Sequence, residues 1–322
     1  MRVAIVGAGV AGLSCASALI ARGATVTVFD KGRAPAGRTS TRRAIMPFDH
    51  GAQYFTARHP LFQTEVTRLR GAGAVAEWTP RIVAVEQIGG VPRAVPDVVR
   101  WVGTPGMNAV ARALALPLDV HVGVTIAAVE RNQHGWQLET TGHGHTGPFD
   151  VVVCTAPPTQ TATLLGRHPL AATVETAVMA PCWAVMAAWA EALPVPFDAA
   201  FVNDGPLAWI ARDGSKPGRP HPHAWVLHAS PAWSTEHLED SADDVLEAML
   251  EALAAVVGAP LPAPVFSAAH RWRYASVTQG LNLTHLWDGE QGVGVAGDWC
   301  DGPRVEGAWL SGRALAHAIL GA

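Results

Sequence analysis

Apolar and polar positions follow two periods along this chain, and the switches between them mark its elements. Val3–Val6 is an uninterrupted apolar run, as in a strand covered on both faces. After a glycine-rich turn, Leu13–Arg22 takes up the helical period and stops at Gly23; Thr25–Phe29 is a second apolar run. Pro60–Arg70 spaces Leu61, Phe62, Val66 and Leu69 as the apolar positions of a surface helix. Glu77–Trp101 alternates short β-like pieces with Gly and Pro, as antiparallel strands do. "TPGMNAVARALA" reads as a turn entering a helix, and "VHVGVTIAAVE", "GWQLETT" and "DVVVCTA" predict three strands. From Ala171 to Ser276, strands rich in Trp and Val surround one clear helix, Ala242–Val257. The final stretch predicts a strand ending at Asp298, a loop, and a helix from near Gly307. "SKPGRPHPH" is a Pro-rich loop, and no internal repeat is present.

The first strand–helix–strand carries Gly7, Gly9 and Gly12 as GxGxxG. In this pattern the first glycine makes the tight turn, the second lets the backbone approach a pyrophosphate, and the third lets helix and strand pack closely. Asp30 ends the second strand, where an acid accepts bonds from a ribose. The spacing predicts a bound dinucleotide but leaves NAD and FAD open.

The next loop and the chain's end favour FAD. Gly37 and Arg38 follow Asp30 and precede Thr39, placing a guanidinium where it can neutralise a resident pyrophosphate; otherwise the stretch is a solvated basic loop. Near Gly307 a helix N-terminus, with about half a positive charge, would face the N1–C2=O edge of an isoalloxazine. Asp298 would accept from ribityl hydroxyls or lie near the pyrophosphate. The bland alternative is a strand and helix that merely close the sheet.

With both ends nucleotide-like, the expected division is discontinuous. Residues 1–58, 104–168 and 277–322 form the cofactor domain, and 59–103 with 169–276 form an inserted substrate domain. The length of 322 residues suits about two domains.

Composition narrows the chemistry. At 49% hydrophobic, with a net charge of −4, the chain has no nucleic-acid or membrane signature. No run of about 18 apolar residues occurs, and the first strand starts at once, so a cytoplasmic protein is expected. Of 23 basic residues only Lys31 and Lys216 are lysines, which leaves few candidates for any lysine chemistry. The 12 Trp are expected mainly as core residues, and the four cysteines, lacking CxxC spacing, as free thiols. No metal-ligand spacing, GxSxG or P-loop lysine appears, so no metal is expected.

The opening fingerprint, the AGR loop, "DHGAQYF" at 49–55 and the terminal "GD…EGAWLSG" resemble flavin amine oxidases. "GTPGMN" at 103–108, "SKPGR" at 215–219, "WVLHASPAWS" at 225–234 and "HRWRYA" at 270–275 resemble the renalase-like branch. The resemblance covers essentially the whole chain. It implies an α/β fold of the p-hydroxybenzoate hydroxylase/monoamine oxidase type: a Rossmann-like FAD domain and an α+β substrate domain on a mixed, mainly antiparallel sheet. It also implies noncovalent FAD, held at Gly7, Gly9, Ala11, Gly12, Asp30, Lys31, Gly37, Arg38 and Thr39. Further cofactor contacts are expected at Gly51, Ala52, Gln53, Ile126, Gly297, Asp298, Val305, Glu306, Gly307 and Ala308.

Two features depart from the amine-oxidase pattern. Ala36 stands where the usual GGR begins, and no lysine is evident near "HRWRYA", where amine oxidases hold one. The renalase-like branch is similar in lacking that lysine. The implied reaction is oxidation of aberrant dihydronicotinamides, the 2- and 6-dihydro isomers of NAD(P), with O2 reoxidising the flavin to give H2O2. Loss of hydride makes the substrate an aromatic pyridinium, so no protein base is needed. His228 is a candidate to orient a carboxamide or, alternatively, a satisfied core histidine. Gln53 and Tyr54 either approach the flavin or anchor a loop, and Trp272 either walls the ring or only packs. The alternatives are an oxidase of some amine and a non-catalytic flavin-binding protein. The partners are a small-molecule substrate and O2, in a protein of unknown oligomeric state with a monomer expected.

Overall fold

The computed structural model describes residues 1–142 and 144–321. Its first sheet has six strands, in the order Leu286–Asp288, Val293–Val295, Val151–Cys154, Arg2–Val6, Thr25–Asp30, Asp119–Val122. All neighbours run parallel except the first pair. Val3, Ala4, Ile5, Val152 and Val153 are wholly buried, as a parallel sheet covered on both faces requires. On one face the Val10–Ile20 helix lies against the C-terminal helix Val305–Ile319. The contact is close because Gly312 has no side chain: a Cβ there would collide with the Ala11 carbonyl. Ser14 Oγ donates to Trp309 O at 2.8 Å across the same seam.

The second large sheet has seven strands, in the order Phe266–Gln279, Val178–Ala188, Ala224–Ala229, Leu207–Arg212, Ala199–Val202, Ile82–Val85, Arg93–Ala94. Only the Ala199–Val202 and Ile82–Val85 pair is parallel, so this sheet is mixed and mainly antiparallel. Its outer face buries Trp183, Val185, Ile210, Trp225 and Leu227 against Val245, Met249 and Leu253 of the Ala242–Val257 helix. That helix starts where Ser241 Oγ accepts from Asp244 N. The inner face meets the residues after the first βαβ unit, with Met46 and Phe48 packed on Met186, Ala188, Ala224 and Val226. The molecule is thus a Rossmann-like domain facing a sheet-based second domain.

Several boundaries differ from the sequence reading. The first helix begins at Val10, not Leu13, with Gly9 as its N-cap. The predicted strand from Val120 is two strands, Asp119–Val122 and Ile126–Asn132, in different sheets. Gly123 breaks the run at φ +72°, where Gly123 N donates to Gly32 O and Val124 N to Asp30 O. An unforeseen strand, Gly144–Phe149, completes a three-stranded antiparallel sheet with Ile126–Asn132 and Gly135–Thr140. The last strand stops at Val295, not Asp298; Asp298 opens the short helix Asp298–Asp301. The Pro60–Gly71 helix buries Phe62, Val66 and Leu69, while Leu61 faces solvent.

Candidate active site

The dinucleotide cradle is built from backbone. Gly7 sits at φ +116° under Thr155, whose Oγ1 lies 3.1 Å from Gly7 O, and a Cβ on Gly12 would strike that same carbonyl. Gly9 opens onto free space. No side chain caps this helix and no acid lies in its first turn, so the N–H groups of Val10, Ala11 and Gly12 lack intrahelical acceptors. Asp30 closes the cradle: its Oδ2 accepts from Ala8 N and its Oδ1 from Gly32 N, both at 2.6 Å. Gly37 packs 3.3 Å from Gly9 Cα, measured from where its own Cβ would stand. Orphaned donors, an open glycine and an acid at the second strand's end fit the pyrophosphate and ribose of FAD.

The remaining cofactor candidates differ in how free they are. Arg38 reaches Asp298 through two hydrogen bonds of 2.8 and 2.5 Å and also donates to Ala275 O at 3.1 Å. Thr39 Oγ1 is turned onto Ala36 O at 2.8 Å, and Lys31 is exposed with Nζ 3.3 Å from Gln160 Oε1. Glu306 is buried, its Oε1 accepting from Arg58 N and His59 N at 2.6 and 2.7 Å. Gly297 N donates to Ser311 Oγ at 3.0 Å. Val305, Gly307 and Ala308 form the first turn of the C-terminal helix, which no side chain caps. Ile126 is a core residue at the start of the strand Ile126–Asn132 in the three-stranded antiparallel sheet. Gly51 lies against the arginine loop, where a Cβ would collide with Arg38 O, and Ala52 N donates to that oxygen at 2.8 Å.

The candidates of the second domain do converge. Paired residues on neighbouring strands share a face, so His270, Ala184, His228 and Trp209 form one row on the inner face of the seven-stranded sheet. His50 faces this row. Its carbonyl accepts from Trp272 Nε1 at 2.9 Å and lies 3.2 Å from His228 Nε2. A carbonyl can only accept, so His228 carries its proton on Nε2 and leaves Nδ1 as an acceptor. The rings of His50, His270 and Trp272 are 4.7–5.1 Å apart. Tyr54 is held among Trp209, Trp78 and Arg100, at 5.6, 6.1 and 5.4 Å.

These histidines stay neutral. Burial, the nearby Lys216 charge assisting, holds His228 down at about 4. Burial also takes His50 to about 3, with His270, Arg42 and His228 pushing the same way. Burial and Arg42 lower His270. The wall is therefore aromatic and uncharged at neutral pH.

Behind it lies a feature the sequence reading missed. Lys216, placed there in a Pro-rich loop, is buried, and so are Asp49, Asp213 and the Arg219 side chain. Lys216 Nζ lies 2.6 Å from Asp213 Oδ1, 3.3 Å from Asp49 Oδ2 and 3.2 Å from Gln53 Oε1. Arg219 bonds Asp49 Oδ2 as well and donates to Gly103 O at 3.0 Å. Thr41 Oγ1 and Met107 N donate to Asp49 Oδ1 at 2.7 and 2.8 Å. Burial would raise the Asp49 carboxyl, but Lys216 and Arg219 outweigh it and hold it below the usual range. Asp213 is raised, by burial first and then by Asp49. The Gln53 amide is internal at both ends, Nε2 donating to Asp49 O and, at 3.3 Å, to Gly51 O. A lysine is thus present beside Gln53, with its donors committed to Asp49, Asp213 and Gln53. The only local clue was the set of segments "DHGAQYF", "GTPGMN" and "SKPGR", which meet here.

All four cysteines are free thiols; burial pushes Cys154, Cys182 and Cys300 up to about 12 and raises Cys15 further. Among the described residues no group of His, Cys, Asp and Glu is arranged to hold a metal ion. No described helix is long and apolar enough to cross a membrane.

A Rossmann-like cradle joined to a mixed sheet with an aromatic inner face is an architecture of flavin-dependent oxidoreductases. Residues 5–68 match the NAD(P)-binding Rossmann-like domain and residues 87–320 the flavin containing amine oxidoreductase profile. The chain belongs to the flavin-containing amine oxidoreductase family, and its cofactor is FAD. The fold is similar to that of a protein described as a putative protoporphyrinogen oxidase from Exiguobacterium, with a TM-score of 0.82 at 15% identity over 99% of this chain and 98% of that one. Putrescine oxidase bound to putrescine gives 0.74 at 15% identity over the whole of both chains. Cyclohexylamine oxidase from Brevibacterium oxydans gives 0.74 at 14% identity over 99% and 98%.

Proposed function

We propose that this protein oxidises dihydronicotinamides, the 2- and 6-dihydro isomers of NAD(P), to NAD(P)+. FAD, when bound, would supply the hydride acceptor; return of the hydride's two electrons and its proton to O2, with one further proton from solvent, would give H2O2, so that dihydronicotinamide, O2 and H+ become NAD(P)+ and H2O2. The observation that carries the reading is the uncharged wall of His50, His228, His270 and Trp272. A neutral ring that leaves as a pyridinium needs position and an apolar aromatic surface, with no base to take a proton. His228 Nδ1, fixed as an acceptor by the His50 carbonyl, suits the N–H of a carboxamide. Trp272 offers an indole face beside it. The cofactor contacts proposed are the cradle glycines with Ala11, Asp30, the Arg38–Asp298 pair and the first turn of the C-terminal helix.

A second reading, oxidation of an amine, is supported by the family itself and by the buried Lys216. Against it, the Lys216 ammonium is bonded to two carboxylates and an amide oxygen, which leaves no free donor for a water. A peroxide-coupled screen of the FAD-loaded protein separates the two. Peroxide formed with dihydronicotinamide isomers and not with a panel of primary amines is the expected result, and the reverse pattern assigns an amine oxidase.

A further inference from the structure

The buried charges and the neutral histidines are separate layers, but one side chain connects them. Lys216 has only donors, so its 3.2 Å bond to Gln53 requires the oxygen end of that amide to face it. The amide nitrogen is then turned away, and its two hydrogens go to the carbonyls of Asp49 and Gly51. Those carbonyls flank His50, whose own carbonyl points instead toward the sheet, to Trp272 Nε1 at 2.9 Å and His228 Nε2 at 3.2 Å. Each link has one chemically allowed polarity, from a donor-only ammonium to an acceptor-only carbonyl.

We propose that Lys216 is a positioning residue: through Gln53 and the His50 carbonyl it sets the tautomer and orientation of His228. The quartet around it makes the device rigid. Two carboxylates and two cations, all buried, are anchored on Thr41, Gly103 and Met107. Lys216 also lies over the Trp78 ring at 5.8 Å, and Asp49 N is 3.4 Å from Asp213 Oδ2. With the ammonium gone, the Gln53 amide loses the partner that decides its orientation. The Asp49 and Gly51 carbonyls on either side of His50 are freed with it, the His50 carbonyl is then held by Trp272 alone, and His228 can place its proton on either nitrogen.

Removing Lys216 alone would leave two buried carboxylates facing a single cation, and loss of folding would then hide the effect. The test therefore uses the charge-balanced pair Lys216→Met with Asp213→Asn, which keeps Asp49 opposite Arg219. It also uses Gln53→Met, which leaves the quartet intact. In FAD-loaded protein, imidazole 15N shifts report the tautomer, with His228 assigned by the signal lost in His228→Asn. The wild type should show one tautomer, protonated on Nε2. Both test variants should show a mixture and a KM raised about tenfold, with a smaller change in the limiting rate. Lys216→Arg should keep the wild-type pattern. An unchanged His228 tautomer in Gln53→Met overturns the relay, whether or not the double variant folds. The relay acts in the cleft of the proposed oxidase, but the NMR readout needs no substrate. Its failure would leave the substrate assignment standing, and the converse also holds.

Discussion

Arg38 and Asp298 lie 260 residues apart in sequence and meet through two hydrogen bonds of 2.8 and 2.5 Å, tying the loop after the first βαβ unit to the chain's last strand–helix junction. The Asp298 side chain is nearly buried, so it depends on this partner. Arg38→Ala should weaken FAD retention by roughly 1.5–3 kcal/mol, because a charge-assisted contact is lost and an unpaired carboxylate is left beside the cradle. At saturating FAD the rate of flavin reduction should change little. Titration of the apoprotein with FAD reads the first effect; an unchanged dissociation constant would mean that Arg38 serves only the fold.

Gly51 packs directly on the arginine loop. A methyl there would collide with the Arg38 carbonyl and break the 2.8 Å bond from Ala52 N. Gly51→Ala should therefore destabilise the protein by about 2–4 kcal/mol and lower its FAD content together. Denaturant unfolding of the holo- and apoproteins would show this, and wild-type behaviour of both would place Gly51 outside the cofactor wall.

The buried histidines make the protein acid-sensitive. His228 and His50 sit at about 4 and about 3 when folded, against 6.5 ordinarily. Between pH 6.5 and 4 the unfolded chain binds protons that the folded one refuses, so stability falls as pH falls and is complete above 6.5. The His228 share is on the order of 3 kcal/mol. Asp213, raised by burial, acts in the opposite sense and blunts the slope. Urea midpoints should be level from about pH 7 to 8 and drop toward pH 4.5, less steeply in His228→Asn. A level profile throughout would contradict a neutral histidine wall.

No thiol is a ready link to the flavin, since Cys15, Cys154 and Cys300 are buried, Cys182 is half-buried, and Cys154, Cys182 and Cys300 sit at about 12. Acid precipitation should release the whole yellow chromophore into the supernatant; colour in the pellet would show a covalent bond.

The sequence made the cradle readable because its signals are local: an apolar run, GxGxxG, a helix and an acid within the first 30 residues. Ala242–Val257 was equally readable, bounded by Ser241 and Gly258. The quartet was not. Asp49 meets Lys216 across 167 positions, and Lys216 stands in a Ser-Lys-Pro-Gly stretch that, taken locally, describes an exposed turn. Only the fold buries it. The apolar run across Gly123 misled for a similar reason, since Val120, Val122 and Val124 keep a strand's alternation while the backbone turns between two sheets. His228 stood out in the sequence as a polar residue in an apolar run, but its proton position follows from the His50 carbonyl 178 residues away.

The most direct test of a neutral wall built for a self-aromatising donor is anaerobic mixing of the FAD-loaded protein with 2- and 6-dihydroNAD, followed at the flavin absorbance. Rapid bleaching is expected, with a limiting rate that stays level between about pH 6 and 9 because no protein base must be ionised. Bleaching by primary amines and not by either dihydronicotinamide, with a rate rising with pH, would contradict it.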